Sequence, residues 1–253
     1  MQIPPASTNR AAARGGCGIA LIAHAVGRAE SLLRKEAGPG ITGAGVAAAQ
    51  PLPRLAASTN DVTVSGISSG GYMAVQFQIA YSSVVRGAGI VAGGPYYCAE
   101  GSVRRALGNC MAPSGKDLPP TADETLKTIR QLAAAGRIDP LKRLQDDRVW
   151  LLAGGNDKTV LPPVMDALDA FYRATLPAGA VAYVKVPEAG HAMLSTADPQ
   201  ANACSTSETP FINRCQDIDA AGKLLKHLIG RPQPAATPAA GETIVLDKPP
   251  SVS

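Results

Sequence analysis

The sequence predicts an α/β protein in which a mostly parallel sheet is covered by helices on both faces. Short apolar segments of strand length alternate along the chain with longer segments whose apolar residues recur at helical spacing. Turn-forming Gly and Pro, 26 and 21 in number, separate these segments. With 253 residues the chain is long enough for one domain with a sizeable core.

The regular pattern begins after residue 60 with two strands and the helix between them. Val62–Val64 alternates apolar and polar side chains, as a half-buried strand does. Tyr72–Tyr81 carries apolar residues at helical spacing, which predicts a helix. Val84–Ala92 is apolar enough for a buried strand and ends at the turn Gly93-Gly-Pro95.

The middle of the chain continues the alternation. Thr121–Ala135 is predicted as a helix, because Thr121 and Glu124 stand at the spacing of a capping box at its start. Arg148–Ala153 is a third strand, and it is closed by a turn that ends at Asp157.

The last predicted elements follow in the same order. Val164–Thr175 has helical spacing, Val181–Val186 is a fourth strand, and Asp217–Ile229 is a further amphipathic helix. A Pro/Ala-rich linker then leads to a short strand-like piece at Thr243–Leu246.

The sequence divides into three parts. Residues 1–50 look like a degraded or misplaced secretory signal, although a wrongly assigned start explains them equally well. Residues 51–230 form the α/β domain, and residues 231–253 form the linker and the short terminal strand. We expect no transmembrane segment, because the longest apolar stretch, near Gly18 to Val26, is too short to cross a bilayer.

The distribution of charge limits the partners of the chain. Its net charge of +4 arises in residues 1–60, which hold six basic and two acidic residues; the other 18 basic and 18 acidic residues balance. No basic face is left for a nucleic acid, so none is expected as a partner. Neither a cofactor nor a metal is expected, and the sequence does not determine the oligomeric state.

Four of the five cysteines form two close pairs, Cys98 with Cys110 and Cys204 with Cys215. Both pairs lie in loop-like sequence without a Cys-x-x-Cys metal pattern, which favours two local disulfides worth roughly 3 kcal/mol each. Disulfides indicate a secreted or periplasmic protein. Four reduced cysteines in a cytosolic protein are the alternative.

Gly66-Ile-Ser-Ser-Gly70 matches the G-x-S-x-G nucleophile elbow of the α/β-hydrolases. The elbow is a sharp strand-to-helix turn that exposes a serine hydroxyl above the sheet, and flanking glycines relieve the crowding. A strand precedes the motif and a helix follows it, so Ser68 is the predicted nucleophile and the Ser69 N–H the first oxyanion donor. A plain Gly/Ser turn is the alternative.

A catalytic serine requires a base, and the chain has three histidines. His24 lies in the leader-like segment, and His227 falls within a helix among lysines, which predicts a solvated surface residue. His191 follows a strand and lies in a late loop, so its side chain can reach the serine from the top of the sheet. His191 is therefore the predicted base.

The carboxylate that orients this base should follow a strand between the serine and the histidine. Asp157 fits, and the order Ser, Asp, His is that of the α/β-hydrolases. Asp166 and Asp169 on the next helix, and Asp146 and Asp147 before the strand, are less suitable candidates. The remaining alternative is that Asp157 is a turn residue without a catalytic role.

Two segments extend this interpretation. Val64-Ser-Gly-Ile-Ser-Ser-Gly-Gly-Tyr-Met-Ala74 and Gly93-Gly-Pro-Tyr-Tyr-Cys98 resemble the extracellular and periplasmic polyhydroxybutyrate depolymerases, more narrowly those with a circularly permuted α/β-hydrolase fold. The likeness runs from about residue 52 to 246.

The resemblance implies that Ser68, Asp157 and His191 form the family's triad. It also implies a substrate, a polyester of 3-hydroxybutyrate or its oligomers, which is cleaved through an acyl-enzyme. Tyr96 and Tyr97 either line an apolar cleft for this substrate or pack inside the protein. Two other functions stay open: an esterase for short acyl groups or acylated sugars, and a non-catalytic domain that binds the polymer.

In the permuted family, further strands and a second oxyanion donor follow the histidine. Only 62 residues follow His191, and they contain no His-Gly-Cys segment of the family's kind. The resemblance therefore implies a permuted and incomplete sheet. We expect a chain that is poorly soluble and weakly active when made alone, and active when extended through such a segment.

Overall fold

The computed structural model describes residues 61–230. The leader-like segment and the strand-like piece at Thr243–Leu246 lie outside the described residues, so the structure tests neither of these two predictions.

A four-stranded parallel sheet forms the centre of the described structure. Its strands follow one another in chain order: β1 (Val62–Ile67), β2 (Val85–Val91), β3 (Arg148–Gly154) and β4 (Val181–Val186). All four predicted strands are confirmed. Because consecutive strands are parallel, all four carboxyl ends lie at one edge of the sheet, and the loops that leave this edge carry the predicted site residues.

Five α-helices and one 3₁₀ helix are formed in residues 61–230: α1 (Ser69–Ala80), α2 (Val103–Leu107), α3 (Ala122–Ala134), the 3₁₀ helix (Leu141–Asp146), α4 (Pro162–Thr175) and α5 (Ala220–Ile229). The four longer α-helices are the predicted ones. The two shortest helices were not predicted, because a segment of five or six residues is too short to show helical periodicity.

Strand β3 shows how the sheet is covered on both faces. Val149 and Leu151 contribute to one buried cluster, which α1, α3 and α4 complete with residues such as Ile79, Ile129 and Phe171. Trp150 and Leu152 point to the opposite face and join the cluster to which α5 contributes Leu224 and Leu228. Because successive side chains of β3 point to opposite faces, helices pack against both faces of the sheet, as predicted.

Helix α3 begins at the predicted capping box. The Thr121 hydroxyl accepts from the Glu124 backbone N–H at 3.3 Å, and the Glu124 carboxylate accepts from the Thr121 N–H at 2.8 Å. The Thr121 N–H, and the Thr121 hydroxyl that donates to the same carboxylate at 2.9 Å, hold the pKa of Glu124 below its usual value because they stabilise the charged carboxylate.

A small second sheet follows β4. It is built from β5 (Met193–Leu194), β6 (Asn202–Ala203) and β7 (Ile212–Arg214) in the order β5-β7-β6. Strands of two or three residues carry no periodicity, so the sequence did not predict this sheet. Both predicted disulfides are formed: Cys204–Cys215 joins the ends of the β6–β7 region, and Cys98–Cys110 closes the loop that contains α2.

Of the helices between residues 61 and 230, none combines the length and apolar character needed to cross a membrane.

Candidate active site

Ser68 lies between β1 and α1 at the carboxyl edge of the sheet. Its φ of 57° and ψ of −123° are uncommon for a residue with a side chain. The turn is held by a hydrogen bond from the Ser68 N–H to the Val91 carbonyl at 2.9 Å. The strand, the sharp turn and the helix of the elbow motif are therefore all present, with a strained serine at the tip.

The glycines of the elbow have different roles. A Cβ on Gly66 would lie 2.3 Å from the Gly70 carbonyl carbon, so Gly66 is needed for the close approach of strand and helix. A Cβ on Gly70 would meet no atom within 4 Å, whereas one on Gly71 would lie 2.9 Å from the Val91 oxygen. The sequence predicts that Gly66 and Gly70 relieve the crowding of the turn. In the structure a side chain would collide with the backbone at Gly66 and Gly71, but not at Gly70.

Asp157 and His191 form a buried hydrogen-bonded pair. Asp157 lies in the loop after β3 and His191 in the loop after β4, and their Oδ2 and Nδ1 atoms are 2.7 Å apart. The second carboxylate oxygen of Asp157 accepts the backbone N–H groups of Thr159 at 2.7 Å and Val160 at 2.9 Å. Because the carboxylate accepts from Nδ1–H, the neutral imidazole has its free lone pair on Nε2.

Hydrogen bonds between the two loops, and from the loop of His191 to the segment after β6, hold this pair in place. The Asn156 N–H donates to the Ala189 carbonyl at 2.9 Å, and the Gly190 N–H donates to the Cys204 carbonyl at 2.9 Å. The His191 N–H donates to the Ser207 hydroxyl at 2.9 Å. Ser207 is a residue that sequence analysis missed, and no local pattern marks it.

The rival carboxylates on α4 bind other partners. Asp166 accepts from the Tyr183 hydroxyl at 2.8 Å and pairs with the Lys185 ammonium at 2.7 Å. Asp169 pairs with Arg173 at 2.8 Å, one turn along the same helix. Neither carboxylate contacts His191, so Asp157 is the carboxylate next to the histidine.

Two other residues considered in the sequence also lie apart from this pair. Asp147 is buried at the start of β3 and accepts from the Gln78 amide at 2.9 Å. His227 is half-buried, and its Nε2–H donates to the Ala180 carbonyl at 3.0 Å. The prediction of a solvated His227 is wrong, because α5 packs this residue against the loop before β4.

Tyr72, on the first turn of α1, was not identified from the sequence. Its hydroxyl donates to the Cys110 carbonyl, so it joins the elbow helix to the loop closed by Cys98 and Cys110. Burial, and then the nearby Asp157 carboxylate, raise the pKa of Tyr72 above its usual value. Tyr72 is therefore a neutral hydrogen-bond donor at any physiological pH.

Ser69 is the first residue of α1. The first N–H groups of a helix have no intrahelical acceptor, and this end of the helix carries partial positive charge. The Ser69 N–H thus lies at the positive end of α1 next to Ser68, and its role as an oxyanion donor stays a prediction.

Tyr96 and Tyr97 follow the Gly-Gly-Pro turn and line a cleft of about 640 Å³ beside α2 and α3. Tyr96 belongs mainly to the core, where burial raises its pKa to about 12. Tyr97 is half-buried and its N–H donates to the Gln76 side chain at 3.3 Å. The two tyrosines thus combine packing with access to a cleft, and a role in substrate binding stays a prediction.

Among residues 61–230, no group of three or more His, Cys, Asp or Glu side chains is arranged to hold a metal ion.

Comparison with known proteins identifies the family. No family model matches the sequence. Over 187 residues the chain is 47% identical to a poly(3-hydroxybutyrate) depolymerase from Delftia acidovorans, a match that covers 73% of this chain and 36% of that protein. The chain belongs to the polyhydroxybutyrate (PHB) depolymerase family. Its α/β-hydrolase fold, predicted from the elbow and the alternating elements, is confirmed.

Other members of the depolymerase family match the same region. A polyhydroxybutyrate depolymerase from Talaromyces funiculosus is 35% identical over 191 residues, which are 74% of this chain and 53% of that protein. The crystal structure of PHB depolymerase from Penicillium funiculosum superposes with a TM-score of 0.60 at 32% identity, and covers 68% of this chain and 52% of that one.

A PHB depolymerase complexed with R3HB trimer superposes with a TM-score of 0.59 at 30% identity, again over 68% of this chain and 52% of that one. The chain thus spans between about a third and a half of the length of these relatives.

Proposed function

We propose that the chain is a serine esterase that hydrolyses poly(3-hydroxybutyrate) or its oligomers, with Ser68 as nucleophile, His191 as base and Asp157 as the orienting carboxylate. The main support is the buried pair of Asp157 and His191, 2.7 Å apart, at the sheet edge that carries the strained Ser68. The names of the relatives support the substrate class.

The first half of the reaction forms an acyl-enzyme. The Ser68 Oγ attacks the ester carbonyl carbon while His191 Nε2 takes the hydroxyl proton. The C–O bond of the ester then breaks, and the leaving alkoxide takes this proton from the imidazolium. Asp157 stabilises the imidazolium, and its other oxygen is held by two N–H donors that fix the orientation of the carboxylate.

The second half releases the acid. A water molecule gives a proton to His191 Nε2 and attacks the acyl carbon, and the bond to Ser68 Oγ breaks as the proton returns to the serine. In both halves the negative charge on the carbonyl oxygen is stabilised by the Ser69 N–H at the positive end of α1.

The substrate and the location of the enzyme follow from the remaining features. A polyester chain is largely apolar, and the half-buried Tyr97 contributes aromatic surface to the cleft beside α2 and α3. The two disulfides Cys98–Cys110 and Cys204–Cys215 fit an oxidising environment, so we place the enzyme outside the cell or in the periplasm.

The decisive test compares Ser68→Ala with Ser69→Ala in the full chain. Ser68→Ala removes the nucleophile and should abolish both ester hydrolysis and labelling by a phosphonate probe. Ser69→Ala keeps the backbone N–H and should retain both. Unchanged hydrolysis in Ser68→Ala contradicts the proposed nucleophile. Absence of labelling in the wild-type chain favours a non-catalytic domain.

The substrate class needs a separate measurement. Weak cleavage of R3HB trimer, or slow clearing of an amorphous PHB suspension, is expected from the wild-type chain made alone. Release of acyl groups from sugars without any cleavage of hydroxybutyrate esters contradicts the proposed substrate and supports a short-chain acyl esterase.

A further inference from the structure

Phe211 is a large aromatic residue that remains exposed directly beside the histidine of the site. Its ring centroid lies 6.4 Å from that of His191, and the two planes meet edge to face at 83°. Phe211 is 41% exposed, whereas His191 is 5% exposed. Phe211 therefore exposes apolar surface to solvent, whereas the neighbouring His191 is almost completely buried.

The backbone holds Phe211 in an unfavourable conformation. Its φ is 59°, in the left-handed region that Gly, Asn and Asp adopt more readily than an aromatic residue. Its N–H donates to the Glu208 carbonyl at 2.7 Å, and its carbonyl accepts the Met193 N–H at 2.9 Å. A bulky side chain kept in a costly conformation next to a reactive group is a feature that functional sites commonly show.

The segment that carries Phe211 is rigidly anchored to the loop of His191. Asn213, two residues further on, is fully buried and donates from its amide to the carbonyls of Cys204 at 2.8 Å and Thr206 at 2.7 Å. The disulfide Cys204–Cys215 closes the same segment. The backbone of the segment that carries Phe211 is thus held in place next to the loop of His191.

A substrate ester must lie close to His191, since the imidazole exchanges protons with both Ser68 and the leaving group. In an oligomer of 3-hydroxybutyrate every unit carries a methyl and a methylene group beside its ester. An exposed aromatic ring a few ångströms from the imidazole offers these groups an apolar contact and excludes water from it.

We propose that Phe211 is a specificity-determining residue: its ring forms the apolar wall beside His191 against which the methyl-bearing unit next to the cleaved ester binds. This inference rests on the proposed function and adds the residue that selects hydroxybutyrate units over smaller acyl groups.

The test measures binding of R3HB trimer to the full chain carrying Ser68→Ala, so that hydrolysis does not interfere. In this background Phe211→Ala should raise Kd about 10-fold, as expected for loss of an apolar contact, while Phe211→Leu should raise it less than about 3-fold. Val103→Ala is the matched control, because Val103 is 76% exposed on α2 and should leave Kd unchanged.

A second readout separates substrate contact from a structural role. With Ser68 intact, Phe211→Ala should lower kcat/KM for a butyrate ester about 10-fold relative to that for an acetate ester. Tm should change little, because the ring is exposed. The inference is overturned if Phe211→Ala binds the trimer as tightly as its parent, if the parent does not bind the trimer at all, or if the butyrate-to-acetate ratio is unchanged. The proposed function is tested independently by the loss of hydrolysis in Ser68→Ala.

Discussion

The backbone of Ser68 has a conformation that is unfavourable for any residue with a side chain, although the proposed reaction requires the serine hydroxyl at this position. Residues held in such φ, ψ regions cost about 1–3 kcal/mol each, and the cost is tolerated where the surrounding hydrogen bonds determine the turn. Here the N–H of Ser68 is bonded to the Val91 carbonyl and its carbonyl accepts the Tyr72 N–H at 3.0 Å. These hydrogen bonds hold Ser68 in a strained conformation that lowers the stability of the fold.

We therefore expect Ser68→Gly to stabilise the fold while abolishing ester hydrolysis. Glycine adopts this conformation without strain, and after its larger unfolded-state entropy is subtracted the net gain should be about 1 kcal/mol. Ser68→Ala keeps the strain and should leave stability within about 0.5 kcal/mol of the wild type. Urea denaturation measures both; equal stability of the Gly and Ala variants would show that the turn is not strained.

Asp157 allows an equally specific prediction. In Asp157→Asn the amide oxygen should stay on the N–H groups of Thr159 and Val160, so that the NH₂ group faces His191 Nδ1. The imidazole is then forced to carry its proton on Nε2 and cannot accept from the serine. We expect turnover to fall by about 10⁴-fold with little loss of stability.

Steady-state kinetics on a soluble ester measures this effect. The control is Asp166→Asn, which removes an exposed pair with Lys185 and should leave turnover within about twofold of the wild type. A large loss in Asp166→Asn and none in Asp157→Asn would contradict the proposed role of Asp157.

At the scale of elements, the small sheet after β4 acts as a support for His191. The Cys204 carbonyl accepts the Gly190 N–H, and the Ser207 hydroxyl accepts the His191 N–H. Both acceptors lie on the segment that the disulfide Cys204–Cys215 closes. The position of the imidazole thus depends on a segment that follows it in the chain.

Removing this disulfide with Cys204→Ala and Cys215→Ala should lower both stability and kcat. Closing a loop of this length is worth about 3 kcal/mol in the entropic description. Cys98→Ala with Cys110→Ala is the matched control: the sequence separations are 11 and 12 residues, so a similar loss of stability is expected with a smaller loss of kcat. Thermal unfolding and initial rates test this, and a loss of kcat confined to the control pair contradicts it.

At the scale of the whole molecule, a buried carboxyl group far from the site makes stability depend on pH. Asp147 is 1% exposed; one oxygen accepts from Gln78, which in turn accepts the Tyr172 hydroxyl at 2.7 Å. The other oxygen has no hydrogen-bond partner within the described residues. Burial raises the pKa of Asp147 to about 7, against the smaller opposing effect of the Gln78 hydrogen bond.

The sign of the pH effect follows from linkage. The folded state binds the Asp147 proton more tightly than the unfolded chain, whose aspartate pKa is about 3.9. The contribution of Asp147 to stability is therefore complete below about pH 4 and is lost as the pH rises through about 7. At pH 8 the loss amounts to a few kcal/mol, on the order of 2–4.

Asp147→Asn should remove this dependence, because its amide oxygen still accepts from Gln78 and carries no charge. We expect the variant to have a higher Tm than the wild type at pH 8 and a similar Tm at pH 4. The exposed Asp217→Asn serves as control and should follow the wild type at both pH values. A variant that is less stable than the wild type at pH 8 would show that Asp147 is ionised and stabilised by partners in the native fold.

The sequence by itself determined what depends on neighbouring residues. Short apolar segments of strand length and longer segments with helical spacing located the four long strands and four longer helices, and the capping box located the start of α3. The elbow motif placed Ser68 on its turn, and simple order along the chain selected Asp157 and His191, which the fold brings together. These features are local or follow from the parallel sheet, whose loops all meet at one edge.

The tertiary structure alone decided the contacts that surround these residues. Ser207 supports His191 from 16 positions away, Tyr72 reaches Cys110 across 38, and Gln78 reaches Asp147 across 69. Such pairs leave no periodic signal, because each partner is a single residue whose neighbours serve other purposes. The packing of distant segments decides whether a side chain supports the histidine, as Ser207 does, is buried with a titratable group, as Asp147 is, or stays exposed, as Phe211 does. This packing is defined only in the folded chain.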